Sequence, residues 1–275
     1  MSKIVSRVEQ ALDNEEERNS SYLFAEHEEI TRYRVTGIQQ AEQCGKLWRN
    51  DYINNTPGMT NKYAQTGTIV HLIIEDQMRA FAGQQRILSD EDMESIRERI
   101  NELGENRTMA NLWGKYLRRL MSYVLGNEVV DIEGEYVIPN KHILLEGHAD
   151  LILRDSQTGR ITIIDHKTNR RPSSTHLWEQ KLQVQAYGNA VCEKFGVESV
   201  RFIIGNVNLD EDNIFTVYKS LSMMNARIGR AMRNIKEWEN EHYRRAGDHC
   251  KYCGDETTCV TRKTYKNRPT MGGDC

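Results

Sequence analysis

Between residues 36 and 50 the apolar or half-apolar positions Ile38, Ala41, Leu47 and Trp48 recur at helical spacing, with Cys44 inside the run. Ile69, Leu72, Ile73 and Met78 keep the same period and predict a second helix over 66–82. Ser89 with Asp92 forms a capping-box pattern for a third, and 111–125 reads as a fourth. The pattern then changes. EYVI, HILLEGHADLIL and ITIIDHKT are β-rich runs broken by Pro139–Asn140 and by SQTG, which predicts a hairpin or meander. Helical spacing returns over 175–195 through Leu177, Leu182, Ala186, Ala190 and Val191. RFIIGNVN and IFTVY supply two further strands, and 220–243 predicts a long charged helix ending at Gly247. That helix turns Ile228, Met232, Ile235 and Trp238 inward. Helices, strands, helix, strands, helix and a cysteine-rich tail, in that order, predict an α/β fold with a mixed central sheet flanked by helices.

A chain of 275 residues can bury a full core, as one elaborated domain or two. No apolar run approaches the ~18 residues of a membrane span. The opening MSKIVSRVEQALDNEEERNS lacks the apolar stretch of a secretory signal, which points to the cytoplasm, where clustered thiols usually mean metal. The net charge of −3 is unevenly spread. Residues 1–30 hold eight acids against three bases, whereas Arg227 to the end holds eleven bases against seven acids. An acidic lead thus masks a basic C-terminal segment, compatible with a DNA-tracking surface and equally with a solvated face. Five segments follow: an acidic arm (1–31), a helical region (32–128), a core (129–219), a long helix with the cysteines (220–260) and a basic tail (261–275).

Four local patterns carry chemistry. GTIVH sets His71 in the opening turns of a helix; GHADLIL sets Asp150 on a strand. IIDHKT ends a β-run with Asp165 and Lys167 two apart, on one face of the sheet, and LQVQAY puts Gln183 and Tyr187 on one helix face. Each is weak alone, since lone histidines, D-x-K triplets and Q-x-x-x-Y faces are common. Together they suit phosphodiester hydrolysis, which needs a hard cation to neutralise phosphate charge and acidify water. Asp150 and Asp165 are oxygen donors for Mg²⁺ or Mn²⁺, and the His166 backbone carbonyl is placed to add another. An imidazole ligand at His71 biases the site towards Mn²⁺. The Lys167 ammonium can stabilise developing negative charge.

Cys250, Cys253 and Cys259 follow a C-x₂-C-x₅-C spacing, with Cys44 as a candidate fourth ligand far upstream. Such a set suits a [4Fe–4S] cluster or tetrahedral Zn²⁺, in which His249 or His242 could replace Cys44. Cys192 reads as a small buried hydrophobe and Cys275 as a frayed end.

In their order, YRVTGIQQAEQCGKLWRNDY, GTIVH, GHADLIL, IIDHKT, LQVQAY and HCKYC resemble RecB-like PD-(D/E)XK exonucleases. The likeness is to the iron–sulfur subgroup with CRISPR-associated and phage or viral members, and covers residues 32–260. The resemblance implies a PD-(D/E)XK core with a helical cap tied by a four-cysteine cluster. It makes His71, Asp150 and Asp165 metal ligands and Lys167 the catalytic lysine, with Gln183 and Tyr187 positioning lysine, phosphate or strand. It favours [4Fe–4S] on Cys44, Cys250, Cys253 and Cys259 over zinc. The implied activity is a DNA exonuclease on single-stranded or frayed ends, in recombination, repair or phage DNA metabolism, with Trp48, Trp113 and Tyr187 as aromatic contacts. A helicase, recombinase or integrase partner is compatible with it. A spacer-processing nuclease acting with a partner and a non-cleaving DNA-end-binding module are the alternatives.

Overall fold

The computed structural model describes residues 31–53, 62–83, 89–140, 143–170 and 181–239, and the single positions Ser174, Leu177, Cys250 and Cys259. Six strands form one mixed sheet: β1 (Thr31–Arg34), β2 (Asn127–Asn140), β3 (Ile143–Asp155), β4 (Ile161–Lys167), β5 (Ser199–Asn206) and β6 (Asn213–Tyr218). β3 is the hub. β2 runs antiparallel along one of its edges, with a bulge between Val129 and Asp131. The other edge is shared: β1 pairs parallel with Ile143–Glu146, and β4 pairs antiparallel with Leu151–Arg154. Gly147 to Asp150 lie between the two partners, so the sheet forks there. β4, β5 and β6 continue the sheet, β4 with β5 parallel and β5 with β6 antiparallel.

Ile161, Ile163 and Ile164 are all buried because β4 has a core on each face. One face carries α1 (Val35–Gln43), α2 (Gly45–Tyr52), α7 (Leu182–Phe195) and α8 (Leu221–Lys236), packing Ile38, Trp48, Ala186, Val191 and Ile228 on Ile163 and Phe202. The other carries α3 (Lys62–Phe81), α4 (Asp90–Leu103), α5 (Asn106–Asn111), a π-helical turn (Leu112–Tyr116) and α6 (Leu117–Val124). There Ile69, Ile73, Ile100, Leu112 and Leu120 meet Leu151, Ile164 and Ile203. No described helix is long and apolar enough to cross a membrane.

Several expectations are corrected. The single helix over 36–50 is two, because Cys44 is extended (φ −160°, ψ 115°) and breaks the chain between α1 and α2. The helix expected over 175–195 is interrupted by an extended Lys181 (ψ 137°), and α7 starts at Leu182 with the Gln39 carboxamide accepting the Gln183 N–H. The final helix ends at Lys236, before Trp238, and Gly247 lies outside the described residues. The fourth helix starts earlier, at Asn106, and contains the π turn. β1 was not foreseen, since TRYR has too little apolar alternation to signal a strand. α4 begins directly after Ser89, as expected. Trp48 is buried between Tyr33 and Tyr52, with ring centroids 6.1 and 5.7 Å away. It serves the core and cannot stack on a nucleic-acid base.

The break at Cys44 is held by α8. Asn234 donates from its carboxamide to the Ala41 and Glu42 carbonyls at 2.9 and 3.0 Å, satisfying groups that the end of α1 leaves open. Arg227 grips the Glu42 carboxylate through Nε and Nη2. Gly45 is required because a Cβ there would stand 1.8 Å from the Asn234 carbonyl oxygen. Gly45→Ala is expected to cost about 1–3 kcal/mol through this overlap, read as a lower urea midpoint with an unchanged slope. Wild-type stability would show that α8 does not press on this turn.

Candidate metal centre at the fork of the sheet

Where the β3–β4 ladder ends, a side chain continues it: the Asp150 carboxylate accepts the His166 N–H at 2.6 Å. β3 also changes phase here. Ala149 and Ile152 face one core, Leu151 and Leu153 the other, with Asp150 at the switch. Across the ladder, Glu133 falls between Ile132 (opposite Leu151) and Gly134 (opposite Ala149). It is the only non-glycine residue with positive φ (52°) among the described residues, a conformation that costs free energy and recurs at functional sites.

The Glu133 and Asp150 carboxylates meet His71 of α3. His71 Nδ1 lies 3.5 Å from Asp150 Oδ2 and 3.7 Å from Glu133 Oε1. One donor atom from each of the three falls within 4.8 Å of the others, the only such histidine, cysteine or carboxylate group among the described residues. His71 Nε2 faces the His166 carbonyl at 3.1 Å, which leaves Nδ1 directed at the carboxylates. Two carboxylates beside one imidazole repel each other unless a cation or proton joins them, and this mixed oxygen and nitrogen set fits Mg²⁺ or Mn²⁺.

Strand alternation sends Asp165 and Lys167 to the α7 side. The Lys167 ammonium sits 2.6 Å from Asp165 Oδ2, and the Gln183 carboxamide donates to Asp165 Oδ1 at 3.2 Å. Asp165 is buried while Lys167 is partly exposed, so the pair offers its cation towards solvent. Burial, against Asp165 and Asp150, is outweighed, and the Lys167 ammonium is held above its ordinary range. The Tyr187 hydroxyl bonds the Gln183 side chain and the His148 backbone; burial and the nearby Asp165 and Asp150 hold it un-ionised. Gly147 makes room for its ring, since a Cβ would lie 2.5 Å from Cε1. Tyr187 is itself buried and cannot present its face to a base.

All six side chains expected from the sequence thus gather around the fork, with the His166 carbonyl turned to His71. Asp165 stands outside the three-residue group, engaged by Lys167. Two residues were missed. Glu133 gave no signal, because a glutamate on an unrecognised stretch of strand looks like surface. Lys181 lies close to Lys167; burial and that neighbour push its ammonium down to about 8, so it is a second cation near the site. Among the cysteines, Cys44, Cys192, Cys250 and Cys259 are buried and form no disulfide, and Cys253 lies outside the described residues.

Burial pulls the His71 imidazolium down, but Asp150 and Glu133 outweigh it and push the group up to about 9. Burial, opposed by His71 and reinforced by Asp165 and Glu133, raises Asp150 to about 7. A divalent ion needs neutral His71 and ionised Asp150, so it competes with protons. Mn²⁺ affinity is therefore expected to strengthen as pH rises between about 7 and about 9, with proton release on binding. Calorimetry in buffers of different ionisation enthalpy checks this. A flat affinity profile without proton release would show that the ion binds elsewhere.

A profile of the PD-(D/E)XK nuclease superfamily matches residues 34–260. No curated protein matches the chain. A solved structure described as "Crystal structure of SSO0001" is similar at 17% identity and a TM-score of 0.45, covering 92% of this chain and 96% of that one. With more than half of its length matched, and with the carboxylates, the D-x-K pair and the flanking helix assembled at the fork, the chain belongs to the PD-(D/E)XK nuclease superfamily.

Proposed function

We propose that the protein is a divalent-metal-dependent deoxyribonuclease, acting as an exonuclease on single-stranded or frayed DNA ends. The convergence of His71, Glu133 and Asp150 within 4.8 Å, beside the Asp165–Lys167 pair, carries this reading. His71, Glu133 and Asp150 would hold the metal, with Asp165 and the His166 carbonyl as further oxygen donors. The ion supplies Lewis-acid polarisation of the phosphate and lowers the pKa of the attacking water. The chain's own groups do the rest. Asp165, fixed by Gln183, orients the Lys167 ammonium towards solvent, where it can meet the scissile phosphate and the negative charge that develops on it. Tyr187 fixes Gln183 and the backbone of the fork. Lys181 adds a cation for the neighbouring phosphate.

The proposal extends to the cysteines: Cys44, Cys250, Cys253 and Cys259 hold a [4Fe–4S] cluster, with structural Zn²⁺ as the other occupant of the same donors. Its support is the burial of Cys44, Cys250 and Cys259, and the chain break that puts Cys44 between two helices packed under α8. Its role there is structural, joining the N- and C-terminal segments.

Two tests are specific. Lys167→Gln keeps a hydrogen-bond donor for Asp165 but removes the charge, and should lower Mn²⁺-supported cleavage of end-labelled single-stranded DNA about 100- to 1000-fold with an unchanged melting point. Cleavage at the wild-type rate would sink the assignment. Protein purified without oxygen should be brown, with about four irons per chain. One zinc and no colour would replace the cluster with a tetrahedral site and leave the nuclease reading intact.

A further inference from the structure

His166 lies on β4, next to the ligating strand β3, and sends its ring to the α3 side of the sheet, where it meets the His71 ring edge-on with centroids 5.9 Å apart. There its Nδ1 is hydrogen-bonded to the Tyr116 hydroxyl at 2.6 Å, with both residues buried. Its peptide does something different: the N–H goes to Asp150 at 2.6 Å, and the carbonyl faces His71 Nε2 at 3.1 Å. One residue thus touches two members of the metal group through its backbone, while a single polar contact anchors its side chain.

That contact is built in with some care. Tyr116 closes the π-helical turn Leu112–Tyr116, an insertion uncommon in helices and frequent at functional sites. In the β4–β5 ladder His166 lies opposite Gly205, and a Cβ on Gly205 would stand 2.2 Å from the Tyr116 hydroxyl. Only glycine there lets the phenol reach the imidazole. From the other side, the Arg119 guanidinium lies 5.1 Å from the Tyr116 ring centroid. It is fixed in turn by both Asp212 carboxylate oxygens at 2.8 and 2.9 Å. The hydroxyl is thus bonded by His166 and given room by Gly205, while Arg119 lies over its ring.

We propose that Tyr116 is a positioning residue for the metal centre: by hydrogen-bonding the His166 ring it sets the His166 peptide, whose N–H and carbonyl hold Asp150 and His71. The inference rests on the metal-centre reading above and adds to it a residue two positions removed from the ion. A partner that orients ligands in this way typically changes metal affinity about 10- to 100-fold when lost.

The test is Mn²⁺ binding, followed by electron paramagnetic resonance, in the wild type, Tyr116→Phe, His166→Phe and the double variant. Tyr116→Phe keeps the ring and removes the hydroxyl. It should weaken Mn²⁺ binding about tenfold and shift the Mn²⁺ concentration for half-maximal cleavage equally, while saturating Mn²⁺ restores kcat. The double variant should bind no more weakly than His166→Phe, because both changes break one connection. A lower melting point with unchanged Mn²⁺ affinity would reduce Tyr116 to a packing residue and overturn the proposal, as would additive losses in the double variant. If the wild type itself bound no Mn²⁺, the metal-centre reading would fail; if the wild type bound and Tyr116→Phe matched it, only this inference would fail.

Discussion

The hydrogen bond from the His166 N–H to the Asp150 carboxylate is the constraint on which the rest of the site depends. β3 cannot pair with β1 and β4 along the same stretch, so its edge leaves a gap of four residues from Gly147 to Asp150. Buried backbone donors must be satisfied, and at His166, two residues past the last β3–β4 pair, the satisfying group is a side chain. A carboxylate is thereby drawn into the interior, where burial raises its pKa and makes it receptive to a cation. The opening in the sheet and the charged site share one cause.

That cause organises both faces. On the α7 side the gap admits the Tyr187 ring over Gly147, and α7 brings Gln183 to Asp165. On the α3 side it admits His71, which meets Asp150, Glu133 and the His166 carbonyl together. The two faces are joined by one tripeptide, Asp165–His166–Lys167, whose alternate side chains serve opposite sides of the sheet. Among the buried side-chain nitrogen and oxygen atoms of this tripeptide, Asp165 Oδ2 and His166 Nε2 have no hydrogen-bond partner. Asp165 Oδ2 has the Lys167 ammonium beside it.

Away from the site, segments distant in sequence are tied to one another. α8 is sequence-distant from α1 but is joined to it by the Arg227–Glu42 pair and by Asn234 on two carbonyls, directly at the Cys44 break. These contacts hold α8 on the turn at Cys44. Glu105 with Arg170, and Asn208 with the Thr168 carbonyl, likewise hold the chain that leaves β4. The loop carrying the segment beyond Lys167 is thus anchored to α5 and to the turn after β5.

The periods in the sequence marked most of the elements, though not β1 or the break at Cys44. Runs such as ITIIDHK and RFIIGN are continuous and apolar because their strands have a core on each side, and the spacing of Ile69, Ile73 and Met78 is the spacing of α3. His71, Asp150, Asp165, Lys167, Gln183 and Tyr187 were legible because their types and order form a joint pattern, each on an element whose period was already clear. What only the tertiary structure decided has no such local signature. Glu133 becomes part of the site because β2 lies across from β3 and adopts a positive φ there, neither of which its neighbours announce. Trp48, expected under the exonuclease reading to be an aromatic contact to DNA, is consumed by the core when Tyr33 and Tyr52 close over it. Cys44 breaks its helix because α8 arrives from nearly two hundred residues away, and Tyr116 meets His166 because Gly205 lies beside it in another strand. Local periodicity records which face of an element is buried; which partner buries it is a contact between distant segments, and packing alone supplies that.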